Sequence, residues 1–477
     1  MKQTIAYIFC FIVLLQSKIV AQDASTTTEQ LIADIFEQYA AETEQELDFD
    51  SFYEDLIDLA DNPIQLNDAT REELEKLPFL SGQQIENILY YIYKFGNLNT
   101  IYELQLIDGL DMTDVRRMLP FVVAGKNDTK FQKIYWQDLI KYGKHEILYR
   151  MDRNLNEKAG YLTSSEIGSS PNYTGSPFYN SLKYHFRFKE RILAGMSMEK
   201  DAGEQFLGNR HQGYDFYSTY AQINDIGKLK TIVIGDFRAG FGMVLVLQSR
   251  LGMGKSSYVT NVIPRSAGLR KFSSTDEYNF FRGIGATLKS GEVEFSAFYS
   301  NKMIDGDTID GSFGSINKSG LHRTLSELEN KHTVNQQLAG FNSTFTHKNF
   351  QLGVTLAHTI LNQKIVLDTA LYNHFYFSGN KQTTAGLNYR LRLHKFNFFG
   401  ETALSNQMSM ATLNGMSFSP ISSINLVALM RYFSPEYDTF YANTFSEGSR
   451  INNETGVYLG AEIRPFKKWK IAAYAEK

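Results

Sequence analysis

Two stretches of this 477-residue chain have the residue types and spacing to hold a phosphate. The first is GMGKS at 252–256, which has the glycines, lysine and serine of a phosphate loop. Such a loop cradles phosphates with backbone amides while the lysine reaches the outer oxygens. Here the leading glycine of that motif falls on Ser249, and the stretch sits in a polar loop, so the match is chance. The second is a pair of short hairpins, Phe79, Leu80, Ser81 and Gly82, then Gly109, Leu110 and Asp111, each just before a predicted helix. Amides at a helix N-terminus bind anions, which makes these positions candidates for a phosphate or a partner surface. Other chemistry is thin. The 9 histidines lack the paired helical spacing of a metal centre,. The Gly-x-Ser-x-Gly elbow of a serine hydrolase is missing, and a serine, histidine and acid cannot be selected together. No catalytic residue, metal or cofactor is expected. Lys183, His185 and Arg187 alternate along one face of a predicted strand, as do Asp236 and Arg238 along another. They read as charges lining a wet interior.

The elements that carry these residues fall into two regions of opposite charge. Between residues 23 and 120 there are about 22 acidic against 5 basic side chains, while the whole chain is only −4. With two lysines in the leader, the remainder is left near +11. An acidic block disfavours polyanions. In residues 28–61, Leu31, Ile32, Ile35, Phe36 and Tyr39, then Phe52, Tyr53, Leu56 and Leu59, recur at helical spacing,. Asn62 before Pro63 ends the second helix,. Asn67 is read as the N-cap of the next.

After about residue 124 the apolar period changes from 3.6 to 2. Leu182, Tyr184, Phe186 and Phe188 alternate with Lys183, His185, Arg187 and Lys189, one face fit for lipid and the other for a positive lumen,. Connections alternate between tight and long. Tight turns fall near 189–191, 225–228, 290–291, 348–349, 394–395, 420–421 and 466–467. Long polar loops fall at 154–176, 239–278, 304–333, 361–381 and 434–455. A soluble β-sandwich has no reason to segregate loop lengths to one end, and a transmembrane β-barrel does. The glycines of 238–242 predict a bend or a close approach by a plug. About 15 strands are expected by Lys477, and because the last stops in mid-strand and even counts are usual, further strands are expected beyond it.

Residues 1–21 read as a cleaved secretory leader: Lys2, an apolar run at 4–15, and Ala21 before Gln22,. That run is too short for a spanning helix. The single cysteine, Cys10, lies within it, so the mature chain offers no disulfide or thiolate site,.

Residues 66–120, through LNDATREEL, LPFLSG, the helix at 85–93, FG, YEL and IDGLD, resemble a tandem helix-hairpin-helix domain, the DNA-binding module of competence receptors. The resemblance implies hairpins reading glycine, hydrophobic, glycine, whose amides hold DNA phosphate. This copy has Phe79 and Ser81 where the first pair of glycines belongs, and Asp111 in place of the second hairpin's last glycine. A carboxylate there repels phosphate. Most of the mature chain, through SPEY at 434–437, FSEGSR at 445–450 and DFRAGFG at 236–242, resembles exported helix-hairpin-helix proteins with a carboxy-terminal barrel, a family that implies no settled activity.

The expectation is therefore a leader (1–21), acidic amphipathic helices (22–63), a helix-hairpin-helix-like domain (64–123), a linker (124–142) and an outer-membrane β-barrel (143–477). Its expected role is a non-enzymatic pore or a subunit of an envelope transport or assembly complex. Lipid and an envelope protein are the expected partners, and the acidic helices before Pro63 are the expected plug or docking module. A DNA-binding or DNA-uptake component is the alternative, and an outer-membrane enzyme a third reading.

Overall fold

The computed structural model describes residues 28–42, 49–125 and 136–477, apart from 157, 163–171, 190, 209–211, 250–258, 261, 267, 310, 368–369, 422, 449 and 467–468. The leader and Cys10 lie outside the described residues.

The amino-terminal part is all helical except for one short strand pair. Thr28–Glu42 and Phe49–Asp61 pack through the rings of Phe36 and Phe52. The next segment opens and closes on Ile64–Gln65 paired parallel with Val122–Val123, which ties its two ends together. Between them come Arg71–Leu74, Gly82–Phe95, a 3-10 turn at Ile101–Leu106, and Met112–Met118. Thr70, Ser81 and Asp111 each close a reciprocal capping box with the residue three positions on. Each such cap is worth about 1 kcal/mol, and three in a small domain fix where its helices begin. Leu66, Leu74, Leu77, Leu80, Ile85, Ile88 and Phe121 are fully buried in one core. Within the segment expected as linker, Trp136–Tyr142 is helical.

From Lys144 onward the chain is an antiparallel barrel. Among the described residues seventeen strands form it, of which Gly268–Lys271 and Ser312–Asn317 are short pieces bypassed by direct pairing of their neighbours, leaving fifteen across the wall. In the first and last, Lys144–Arg153 and Trp469–Glu476, nearly every residue is exposed. No described helix is long and apolar enough to cross a membrane.

The wall is inverted relative to a water-soluble domain. Ile234, Ile284, Leu288, Leu387 and Leu459 are about half exposed on its outside, while Lys183, Thr355 and Glu401 are at most 1% exposed within. Side chains alternate faces along a strand, so one period serves an apolar exterior and a polar interior.

All the turns at one end are short and most connections at the other are long. Three expected boundaries move. Residues 304–309 remain strand, followed by Ser312–Asn317, because this hairpin keeps pairing above the wall. Residues 361–365 also remain strand. Pro420 and Ile421 stay in strand, with a register shift between Phe418 and Ile421, and Ser423 is in a turn. Polar composition had suggested loop, but polar residues that face a lumen or a protruding hairpin keep their ladder.

Candidate functional site at the short-turn mouth

The helical domain sits across the short-turn mouth, held by a ring of charged pairs. On the helix Phe49–Asp61, Asp58 accepts from Arg187 at 2.6 Å and faces Lys271 at 2.8 Å, Asp61 meets Lys144 at 2.7 Å, and Asp55 meets Arg270 at 3.5 Å. Deeper in, Glu75 faces Arg390 at 3.4 Å, Glu86 faces Arg392 at 4.0 Å, and Glu72 faces Lys230 at 3.9 Å. Asn87 Oδ1 accepts from Arg392 at 3.0 Å, and Gln83 Oε1 accepts from Asn397 at 2.9 Å. Arg71, itself buried, is held between Glu75 and Glu86. Most of these groups are largely shielded, so their pairing is screened less than surface pairs are.

The pairing registers on the carboxyls. Burial alone would raise Asp58, yet Lys271 and Arg187 hold it below the usual carboxylate range. Burial likewise opposes Glu72, and Lys230 keeps it low. Asp114 goes the other way, pushed up by burial and by neighbouring Asp111.

The hairpin positions are turned toward the barrel. Ser81 Oγ accepts from the Gln84 amide at 3.2 Å, and Asp111 Oδ1 accepts from the Thr113 and Asp114 amides at 2.8 Å each. The amides that a hairpin would offer to phosphate are thus capped by the chain itself. Asp111 Oδ2 also receives Arg464 at 3.0 Å. Arg265 donates to the carbonyl oxygens of Leu77 at 3.2 Å, Pro78 at 2.8 Å and Leu80 at 2.5 Å. Phe79 rests partly buried against Phe121. Gly82 lies against Ile263, where a Cβ would come within 3.2 Å. Gly109 has φ +85, open to glycine and strained for other residues, and Leu110 packs at the core's edge,. A cleft of about 970 Å³ separates these hairpins from the wall near Trp469 and Lys470.

Lys183 and His185 are buried and inward-facing, His185 meeting Tyr220 Oη at 2.9 Å, and Arg187 binds Asp58 and Glu146. Asp236 and Arg238 do not form a luminal ladder. Val233, Phe237 and Ala239 take the inward positions of that strand and join the core. Asp236, of opposite parity, is buried in the wall, where Arg282 binds both its oxygens at 2.7 and 2.8 Å and the Thr219 amide donates at 3.3 Å. Arg238 lies over the Phe272 ring. The reason is local: the ladder to the preceding strand ends at Tyr220 and Gly235, where φ is +92, and the strand's tail pairs with Gly268–Lys271 instead.

The lumen behind the domain is filled by the segment that follows. After Gly242, at φ +67, Met243, Val244, Leu245, Val246 and Leu247 are all at most 1% exposed. They pack with Phe399, Leu413 and Leu429 of the wall and with Tyr437 and Tyr441 of a later loop. At the long-loop end, a separate buried group could in principle hold a metal: Glu204, Asp215 and His322. Both ring nitrogens of His322 are already engaged, Nδ1 by Asp215 at 2.5 Å and Nε2 by Asp305 at 2.8 Å. Burial opposes the charged ring, but these carboxylates outweigh it and raise the pKa to about 10. The geometry is that of an imidazolium between two carboxylates, which leaves no ring lone pair for a cation.

Several of these residues carry a sequence signal that single-strand reading missed. Arg390 and Arg392 alternate with Leu391 and Leu393, and Glu401 follows Phe399 at the inward parity. A charge at that parity of an apolar strand marks a lumen contact. Nothing local marks Arg265.

No family model and no curated protein matches the chain. Among solved structures, mutant porins of Rh. blastica align at 11% to 12% identity with TM-scores of 0.28 to 0.29, over 63% of this chain and 85% of theirs. A structure described as asymmetric conductivity of engineered proteins aligns at 12% identity and TM-score 0.28, over 70% and 92%.

Proposed function

We propose that this chain is a non-enzymatic outer-membrane barrel that serves as a gated conduit of an envelope transport system, closed at its periplasmic mouth by its own acidic domain. What carries the reading is the ring of carboxylates, Asp58, Glu72, Glu75 and Glu86, seated on inward-facing Arg187, Lys230, Lys271, Arg390 and Arg392. An acidic domain and a basic interior in one chain are complementary as plug and socket. The plug is broader than the helices before Pro63, because Glu75 and Glu86 belong to the segment after it. The membrane setting is supported by the half-exposed apolar exterior and by the segregation of short turns to one end, the end we assign to the periplasm. The self-capped hairpin amides and the hairpins' contact with Arg265 and Arg464 favour docking over nucleic-acid binding.

The test pairs location with release. The chain should fractionate with outer membranes, and in those membranes trypsin should spare the domain at low salt. Asp58→Arg with Glu75→Arg should expose it, and adding Arg187→Asp should partly restore protection. A chain outside the outer membrane, or equal cleavage with and without the substitutions, would overturn the proposal.

A further inference from the structure

After the strand Leu229–Gly240 ends, the described residues 243–247 lie inside the lumen rather than over the rim. Its first part is fastened to the barrel by main-chain groups. Glu401, at 1% exposure the inward residue of Phe396–Leu404, receives the Met243 amide at 2.7 Å and the Leu245 amide at 3.1 Å on one oxygen. Tyr437 Oη donates to the Leu245 carbonyl at 2.8 Å, and the Asn443 amide donates to the Val244 carbonyl at 3.1 Å. A single carboxylate that satisfies two buried amides acts as a clasp, because each amide left unpaired in that dry setting would carry its full desolvation cost.

Two features set the clasped segment apart from ordinary filling. Val244 has φ +56, a left-handed conformation that a β-branched residue adopts only under constraint,. The other oxygen of Glu401 is buried without a hydrogen-bond partner. Strain and an unsatisfied carboxylate oxygen both raise the energy of the clasped state. At the far end, Ile263 and Arg265 of the same segment touch Gly82 and the carbonyls of Leu77, Pro78 and Leu80 in the domain. The described residues 262–266 therefore meet the domain, while residues 243–247 meet the wall.

We infer that the segment around Met243–Leu247 is a second gate, clasped shut by Glu401 and Tyr437, so that the barrel conducts only when both the acidic domain and this segment have moved. This rests on the gated-conduit reading. It predicts that release of the domain alone leaves the lumen blocked.

The full chain is reconstituted in planar bilayers as three variants: the domain-release pair Asp58→Arg with Glu75→Arg, the clasp pair Glu401→Ala with Tyr437→Phe, and all four together. Trypsin exposure reports domain release independently, which separates failure of the plug from failure of the second gate. Each pair alone should leave conductance within about two-fold of the parent, and the four together should raise it about ten-fold or more, since the loss of one charged hydrogen bond shifts a two-state balance by about that factor. A further variant adds Val246→Cys and Gly386→Cys, positions where a Cβ on Gly386 would lie 2.6 Å from Val246. Oxidation should close the conducting form and reduction reopen it. Full conductance from domain release alone, or conductance in the cysteine-bearing variant that oxidation leaves unchanged, would overturn the second gate.

Discussion

Arg265 reaches out of the luminal segment and donates to the carbonyl oxygen of Leu80, 185 residues earlier, at 2.5 Å. Because the same guanidinium serves Leu77 and Pro78, it caps the turn before Gly82–Phe95 from the barrel side. A hairpin that sequence would offer to an outside ligand is here a joint between two parts of one chain.

Arg265→Ala should therefore loosen the domain without unfolding the barrel. Three carbonyl contacts are lost, and amide hydrogen exchange across residues 77–88 should speed up about ten-fold, the effect of losing one charged hydrogen bond. Exchange in the wall strand Val334–His347 should not change. Equal protection of both regions in variant and parent would sink the idea that Arg265 holds the hairpin.

Acid should release the helical domain from the barrel. The depressed carboxyls Asp58 and Glu72 contribute stability that is fully present above their ordinary values of 3.8 and 4.5 and is lost as pH falls through their lower folded values. Asp114, shifted upward, works in the opposite sense and offsets part of this. Domain exposure to an acid-active protease should accordingly rise as pH drops below about 4. Asp58→Asn should expose the domain already at neutral pH, and an Asp58→Asn chain as well protected as the parent would contradict the pairing.

At the opposite end the sign reverses. His322, raised to about 10, contributes stability that is complete below its ordinary 6.5 and is lost as pH rises through about 10. Loop cleavage near residues 319–331 should increase only under strongly alkaline conditions. His322→Ala should reproduce that loosening at neutral pH, at a local cost of about 3 kcal/mol, because Asp305 loses its buried partner while Asp215 keeps Lys331,. An unchanged cleavage rate in that variant would refute the network's role.

Gly386 makes room for the luminal segment. A Cβ there would lie 2.6 Å from Val246 Cγ2 and 2.7 Å from Glu401 Oε1. Gly386→Ala should cost about 1–3 kcal/mol, as overpacking does, and lower the thermal midpoint. Gly314→Ala, whose nearest neighbour is a carbonyl oxygen at 3.8 Å, serves as the control. Equal midpoints for the two variants would show that the segment does not press on this wall.

What the sequence determined by itself is the part governed by local periodicity and by the chemistry of turns. The period-two alternation of Leu182 to Lys189 assigns faces, because strand parity depends on a few adjacent residues; the cap read at Asn67 falls instead on Thr70, since Asn67 lies within the 3-10 turn Leu66–Asp68,. Asp236 shows the limit of that logic. Its parity was read from an unbroken strand, yet Gly235 at φ +92 lies where the ladder to the preceding strand ends, and Phe237 faces the core in its place. Tertiary structure alone decided that the apolar residues 243–247 fill the lumen, that Arg265 meets Leu80, and that Glu401 receives two distant amides. Those contacts join residues more than 150 positions apart, and their energy comes from groups desolvated together inside a closed wall, a condition no short stretch of sequence can register.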